Sequence, residues 1–179
     1  MREAINLYRN TKKTTRLLVS SIGVFMLLAV VLLYSIGLFD GVLRTKSIVF
    51  SGAVMLIMFF LILKSVIGLR DKSALISLTS DQFVGKTTPL SKAFGYGEWM
   101  DVRDIQLQKV GGDTLVVVSV ANVEKYRGRL SKMLWNMAYD ESNQLLHLGY
   151  SSSEIYLNAN ALFDLFVQYW LESQKRTGA

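Results

Sequence analysis

The sequence contains no cysteine, one histidine and one proline. Without cysteine there is no disulfide, no thiolate nucleophile and no Cys-ligated zinc. The lone histidine, His147, rules out a His-rich metal site, and no carboxylate pair stands at ligand spacing near it. The residues therefore call for no metal and no cofactor. Scarce proline combined with 51% hydrophobic residues and a positive mean hydropathy makes a chain too apolar for an ordinary soluble protein of 179 residues. The excess has to be gathered into membrane segments.

Two runs gather it. LLVSSIGVFMLLAVVLLYSIGL, Leu17 to Leu38, carries no charge. At ~1.5 Å per residue it reaches roughly 33 Å, enough to cross a hydrocarbon core. SIVFSGAVMLIMFFLILKSVIGL, Ser47 to Leu69, has one charge, Lys64, close enough to its end to snorkel to the headgroups. A buried hairpin in a soluble core fails as an alternative, because the ~100 remaining residues could not cover two helices apolar on all sides. A cleaved signal peptide fails too, since the first run is too long and lacks a small-x-small site before a second span follows. The small residues Ser21, Gly23, Ser51 and Gly52 are candidates for close helix packing, through which the spans could also associate as a homo-oligomer.

The spans are joined by the short Phe39–Lys46 loop, so both chain ends lie on one side. Arg2, Arg9, Lys12, Lys13 and Arg16 precede the first span, and Arg70 and Lys72 follow the second; the loop holds only Arg44 and Lys46. This bias places both termini in the cytoplasm. It also explains the net charge of +6. Residues 1–72 hold ten Lys/Arg against three acids, whereas residues 73–179 hold ten against eleven. Basicity thus belongs to the membrane flanks, where it meets anionic lipid, and nucleic acid is not an expected partner.

Three regions follow: a basic cytoplasmic segment 1–16, a transmembrane hairpin 17–69 and a soluble domain 73–179. In the last, Ala74–Ser80 alternates as a strand, and the stretch to Trp99 reads as short strands broken by Gly85, Pro89, Gly95 and Gly97. Val102–Val110 alternates with one slip near Arg103. Gly111-Gly112 supplies a tight turn, and Thr114–Ala121 is a central partner strand. From Val123 a helical stripe runs through Tyr126, Leu130, Met133, Leu134, Met137 and Ala138, with Asn122 as its N-cap. Asn143–Tyr150 is a further strand. A last helix, capped by Asn158 or Asn160, buries Leu162, Leu165, Phe166, Tyr169 and Trp170. Strands, helix, strand and terminal helix make an α+β domain with antiparallel pairing.

The chain order and the motif Gly97, Trp99, Asp101, Val102, Ile105 resemble those of small bacterial two-span membrane proteins of unknown function. Their pattern is G-x-x-W-x-D-[I/V]-x-x-I, met here with one residue of slack between Gly and Trp. The Gly-Gly hairpin, LVVVSV and NVEKYRGRLSK extend the likeness over nearly the whole chain. The resemblance implies a pleckstrin-homology-like (PH-like) fold at the inner membrane. It implies no catalytic role and transfers no lipid-binding residues; such domains look like scaffolds for protein contacts.

The residues themselves argue against chemistry. Glu98, Asp101 and Asp104 stand three apart, which on a strand sends neighbours to opposite faces, whereas acid-base work needs two groups aimed at one point. Asp101 is expected to bind a turn amide, with Glu98 and Asp104 in water or paired with Arg103. VGKTT, Val84 to Thr88, lacks the upstream glycine of a phosphate loop, since Ser80 stands in its place, and Pro89 follows. His147 points away from Leu146 and Leu148 as a structural or exposed residue. Possible partner or lipid contacts are the cations Lys125, Arg127, Arg129 and Lys132, together with Trp99. The expected function is a non-enzymatic, membrane-tethered protein-binding or adaptor module with an unidentified protein partner. The alternative is an immunity or resistance protein neutralising a competitor's toxin.

The orientation has a direct test. Alkaline phosphatase fused to the C-terminus, which works only outside the cytoplasm, is expected to be inactive; an active fusion would reverse the topology.

Overall fold

Strand pairing joins two stretches of chain that the apolar helices separate. In the computed structural model, which describes residues 3–177, β1 (Ile5–Leu7) pairs antiparallel with β2 (Ile76–Leu78). The chain divides into two units, one made of the residues up to Arg9 together with those from Ser73, the other of Asn10–Lys72. Segment 1–16 is therefore not a separate tail: its first part is a strand of the domain and its last part is helix. Arg2, counted in the basic flank, and Gly178 and Ala179 lie outside the described residues.

The inserted unit is a helical hairpin of α1 (Thr11–Ser35) and α2 (Thr45–Arg70), each long and apolar enough to cross a membrane. Asn10 starts α1 by accepting the Lys13 N–H on its side chain at 3.2 Å. Shielded positions recur at alternating steps of three and four: Thr14, Leu18, Ser21, Phe25, Leu28, Leu32 and Ser35 on α1, and Ile48, Ser51, Met55, Met58, Ile62, Ser65 and Leu69 on α2. That is the seam of a two-helix coil. Ser35 and Ser51 are buried in it, their hydroxyls donating to the carbonyls of Val31 at 2.8 Å and Ser47 at 2.6 Å. Gly23 and Gly52 are not close-approach points, since a Cβ at either meets nothing within 4 Å. The outer faces remain bare and apolar: Leu27 is 67% exposed and Phe50 71%. Arg44 closes the turn, with its guanidinium 2.6 Å from Asp40 and 4.3 Å above the Tyr34 ring.

In the domain, β1, β2, β3 (Gln82–Gly85) and β4 (Tyr96–Glu98) form one antiparallel sheet in that order. A second antiparallel sheet has the order β5-β6-β8-β7, from β5 (Val102–Val110), β6 (Asp113–Val120), β7 (Tyr139–Asp140) and β8 (Leu145–Ser151). The slip expected at Arg103 is a register shift between Val102 and Asp104. Gly111, at φ +60°, takes the first central position of the two-residue turn, as a glycine-led hairpin turn requires. One element escaped the pattern: Pro89–Phe94 is a helix, α3, and not strand. Its start is conventional in hindsight, with Pro89 at the first helical position and Thr88 and Ser91 capping each other's backbone N–H groups.

The final helix, α6 (Ala159–Thr177), begins where Asn158 accepts the Ala161 N–H at 2.8 Å. Its Leu162, Phe166 and Tyr169 are buried, and it packs on β5, β6 and the 3-10 turn Trp99–Asp101. Trp99 is fully buried, 4.8 Å from the Phe83 ring and 5.9 Å from that of Phe166, and its indole N–H donates to the Thr79 carbonyl at 2.9 Å. Gly97 exists for this packing: a Cβ there would fall 2.3 Å from the Phe83 ring. Gly97→Ala is therefore expected to destabilise the domain by about 1–3 kcal/mol through overpacking. Thermal unfolding of the full chain in mild detergent measures it, and an unchanged midpoint would contradict the packing.

Candidate interaction surface

The connector between β6 and β7 carries the four cations singled out in the sequence. It is not one helix. The chain makes α4 (Val123–Tyr126), a 3-10 turn over Arg127–Arg129, an extended Leu130, and then α5 (Lys132–Ala138). Two residues explain the break. Gly128 weakens any helix through it, and Ser131 restarts one by accepting the Leu134 N–H at 3.4 Å. Asn122 does not cap α4: it sits at φ +55°, a left-handed conformation that asparagine tolerates, with no capping hydrogen bond from its side chain.

Asp101 holds this connector to the sheets. Its buried carboxylate accepts the Tyr126 hydroxyl at 2.5 Å, the Lys125 ammonium at 2.9 Å and the Asn122 amide at 3.5 Å. Its backbone carbonyl accepts the Ala121 N–H at 2.8 Å. Lys125 also reaches Glu98 at 2.8 Å, so one ammonium bridges two carboxylates. The expected turn amide and Arg103 pairing give way to this arrangement, because Tyr126 swings inward as the one fully buried side chain of α4. Asp104 instead bonds locally, to the Ile105 N–H at 2.9 Å and to the Gln106 amide.

The electrostatics follow from that geometry. Burial works against ionising Asp101, but the hydrogen bonds from Lys125 and Tyr126 outweigh it and hold the carboxyl below its ordinary value. Desolvation likewise opposes the charge on Lys125, yet its bonds to Asp101 and Glu98 raise it above the usual lysine value. Burial, and then the adjacent Asp101 carboxylate, push the Tyr126 phenol up to about 12. Near neutral pH Asp101 and Lys125 in this lock are charged and Tyr126 is neutral.

Arg129 is a second fastening. It donates to the Tyr96 carbonyl at 2.6 Å and lies 4.2 Å over the Tyr96 ring and 4.9 Å over that of Tyr126. Of the four cations, Lys125 and Arg129 are thus committed inward. Arg127 and Lys132 remain at the surface, Arg127 reaching Glu124 at 3.3 Å with its side chain still 67% exposed. Beside them stand two residues expected in the core: Met133 and Met137 are each 73% exposed, one turn apart on α5. The extended Leu130 resets the helix, so the apolar stripe of α4 does not continue into α5. Leu134 and Ala138 take the inner side and the methionines the outer.

The other marked residues have structural partners. Trp99, placed among the possible contacts, has no exposed surface. His147 faces away from the buried Leu146 and Leu148, with Nδ1 2.9 Å from the Ser119 hydroxyl and Nε2 3.7 Å from Asp140. Thr87 and Thr88 of the VGKTT stretch bind the backbone of β8, accepting the Ser151 N–H at 3.0 Å and donating to the Gly149 carbonyl at 2.9 Å. A groove of about 500 Å³ over Trp99, edged by Asp81, Gln82, Met100 and Arg176, gave no sequence signal because its sides come from three distant segments. Among the described residues no group of three or more His, Cys, Asp and Glu is gathered as metal ligands. No protein-family model, curated protein or solved structure matches this chain.

Removing the charge at Asp101 tests the lock. Asp101→Asn is expected to cost about 2 kcal/mol, the scale of hydrogen bonds to a charged group. The pH dependence carries a sign. Because folding lowers the pKa of Asp101, its contribution is fully present above the unfolded value of about 3.9 and is lost as pH falls through the folded value. Thermal midpoints measured against pH should converge for wild type and variant at the acid end and part toward neutrality. Parallel curves would contradict the assignment.

Proposed function

We propose that the chain is a two-span protein of the bacterial cytoplasmic membrane, with both termini in the cytoplasm and a PH-like domain acting as a non-enzymatic protein-binding or adaptor module. Two four-stranded antiparallel sheets closed by a C-terminal helix support the PH-like reading. The apolar outer faces of α1 and α2 support the anchor, and the excess of cations flanking the hairpin supports the orientation.

The observation that carries the binding role is the exposed pair Met133 and Met137 beside Arg127 and Lys132. Methionines adapt to irregular partner surfaces, and arginine is favoured in protein contacts. Exposed apolar side chains on a short helix that rests on β8, after a segment tied down by Asp101 and Arg129, form a pre-organised surface, which lowers the ordering cost of binding. The acids that could have served a reaction, Glu98 and Asp101, are both engaged with Lys125. Tethering raises the effective concentration of this surface for any membrane-associated partner.

A photo-crosslinking residue at position 133 or 137, introduced into the full chain in cells, tests the role. A discrete crosslinked protein is expected at both positions and should fade when Arg127 and Lys132 are changed to Glu. The same products from a probe at the exposed Val110, or none at 133 and 137, would contradict it.

A further inference from the structure

We propose that the outer face of α1 is a binding site for an anionic phospholipid, with Lys12, Thr15 and Arg16 on its phosphate and an apolar stripe along one acyl chain. Steps of three and four put Lys12, Arg16, Val19, Gly23, Met26 and Val30 on one line of the helix, and all six are exposed. The seam against α2 lies on the other side, since Thr14, two residues on from Lys12, is roughly 200° around the helix from it. Two neighbouring threonines show the division. Thr14 faces the seam and donates its hydroxyl to the Asn10 carbonyl at 3.3 Å. Thr15 is exposed, and among the described residues its hydroxyl has no acceptor. Thr11, Lys12, Thr15, Arg16 and Val19 line one shallow groove, and among the described residues no acid pairs with Lys12 or Arg16.

Charge and depth name the occupant. Two cations four residues apart, with a hydroxyl beside them, call for an anion rich in acceptor oxygens. The apolar run begins at Leu17. Arg16 stands about 1.5 Å above it and Lys12 about 7.5 Å, so the pair brackets a headgroup layer of roughly 5–8 Å. Phosphates lie in that layer, and both side chains are long enough to reach one. Below them, the exposed line from Val19 to Val30 runs about 16 Å, close to the ~15 Å of hydrocarbon in one leaflet. Gly23 lies midway on that line with open space where a Cβ would stand, which leaves a notch for the chain. A zwitterionic headgroup would bring its own cation toward Lys12 and Arg16, so the anionic lipid is favoured. The site belongs to α1 alone, and it rests on the reading that α1 and α2 cross a bilayer.

Native mass spectrometry of the delipidated full chain in mild detergent, titrated with phosphatidylglycerol, tests the site. Phosphatidylglycerol is expected to bind about tenfold more tightly than phosphatidylcholine. Lys12→Gln with Arg16→Gln should weaken phosphatidylglycerol about tenfold. Arg70→Gln with Lys72→Gln removes the same charge from the end of α2 and should weaken it no more than about twofold. All four side chains are exposed, so both double variants are expected to keep the wild-type thermal midpoint. Equal losses from the two pairs would overturn the site in favour of general charge attraction, and equal binding of the two lipids would overturn it as well. Displacement by glycerol phosphate at the same concentration would make the ligand a free phosphate and overturn the lipid assignment. Extraction of native membranes at alkaline pH checks the premise by itself: a stripped protein overturns the crossing of α1 and α2, whatever lipid the purified chain binds.

Discussion

The hydrogen-bonded pairing of β1 with β2 is the constraint on which the remaining architecture depends. These strands lie immediately before and after an inserted apolar hairpin, yet they share one sheet in the register Ile5↔Leu78, Asn6↔Ser77, Leu7↔Ile76. A chain that leaves a sheet on a long helix and rejoins the same sheet must come back by a second one of similar length. The hairpin satisfies this with two helices, a Ser- and Leu-containing seam between them and a turn closed by Arg44 and Asp40. The hairpin is thus an insertion in the domain, and closing the first sheet has to await synthesis of both helices.

The same economy of contacts governs the β6–β7 connector. A stretch with a glycine in its middle and a serine restart would fray as a single helix. Asp101 and Arg129 prevent this by tying its first half to the 3-10 turn and to the start of β4. The cost of sinking a carboxylate is offset by an ammonium, a phenol and an amide gathered around it, an arrangement stable only while every member is satisfied. After the extended Leu130, α5 turns Ala138 inward and projects Met133 and Met137 outward. A lone exposed methionine would be unremarked; two on one face of a helix form a patch.

Much of this was legible in the residues. Uninterrupted apolar runs announced the hairpin, period-two alternation announced β5 and the Leu146–Leu148 part of β8, β-branched residues announced β6, and the slip near Arg103 announced a bulge. Glycine pairing at 111 and 112 and the Asn158 cap were equally local. What escaped depended on contacts distant in sequence. Ile5–Leu7 is too short to read as a strand without β2 beside it. Pro89–Phe94 was masked by glycines on either side, although Thr88, Pro89 and Ser91 spell a helix start. The connector gave a perfect helical stripe, but the bond to Asp101 holds Tyr126 inward while the extended Leu130 resets the helix and leaves Met133 and Met137 outside. Counting four cations as one face failed for the same reason: Lys125 and Arg129 find partners 24 and 33 residues away.

The central claim is that the strand before the hairpin and the strand after it share one sheet, and a crosslink between them tests it most directly. Asn6 and Ser77 are facing residues in that register, at a spacing that antiparallel pairs bring within disulfide reach. In the otherwise cysteine-free chain, Asn6→Cys with Ser77→Cys is predicted to form an intramolecular disulfide rapidly in native membranes under mild oxidant, visible as a mobility shift that reductant reverses. If the two thiols stay free to a small membrane-permeant alkylating reagent under the same conditions, while the protein remains folded, the shared sheet is contradicted, and with it the same-side closure of the hairpin.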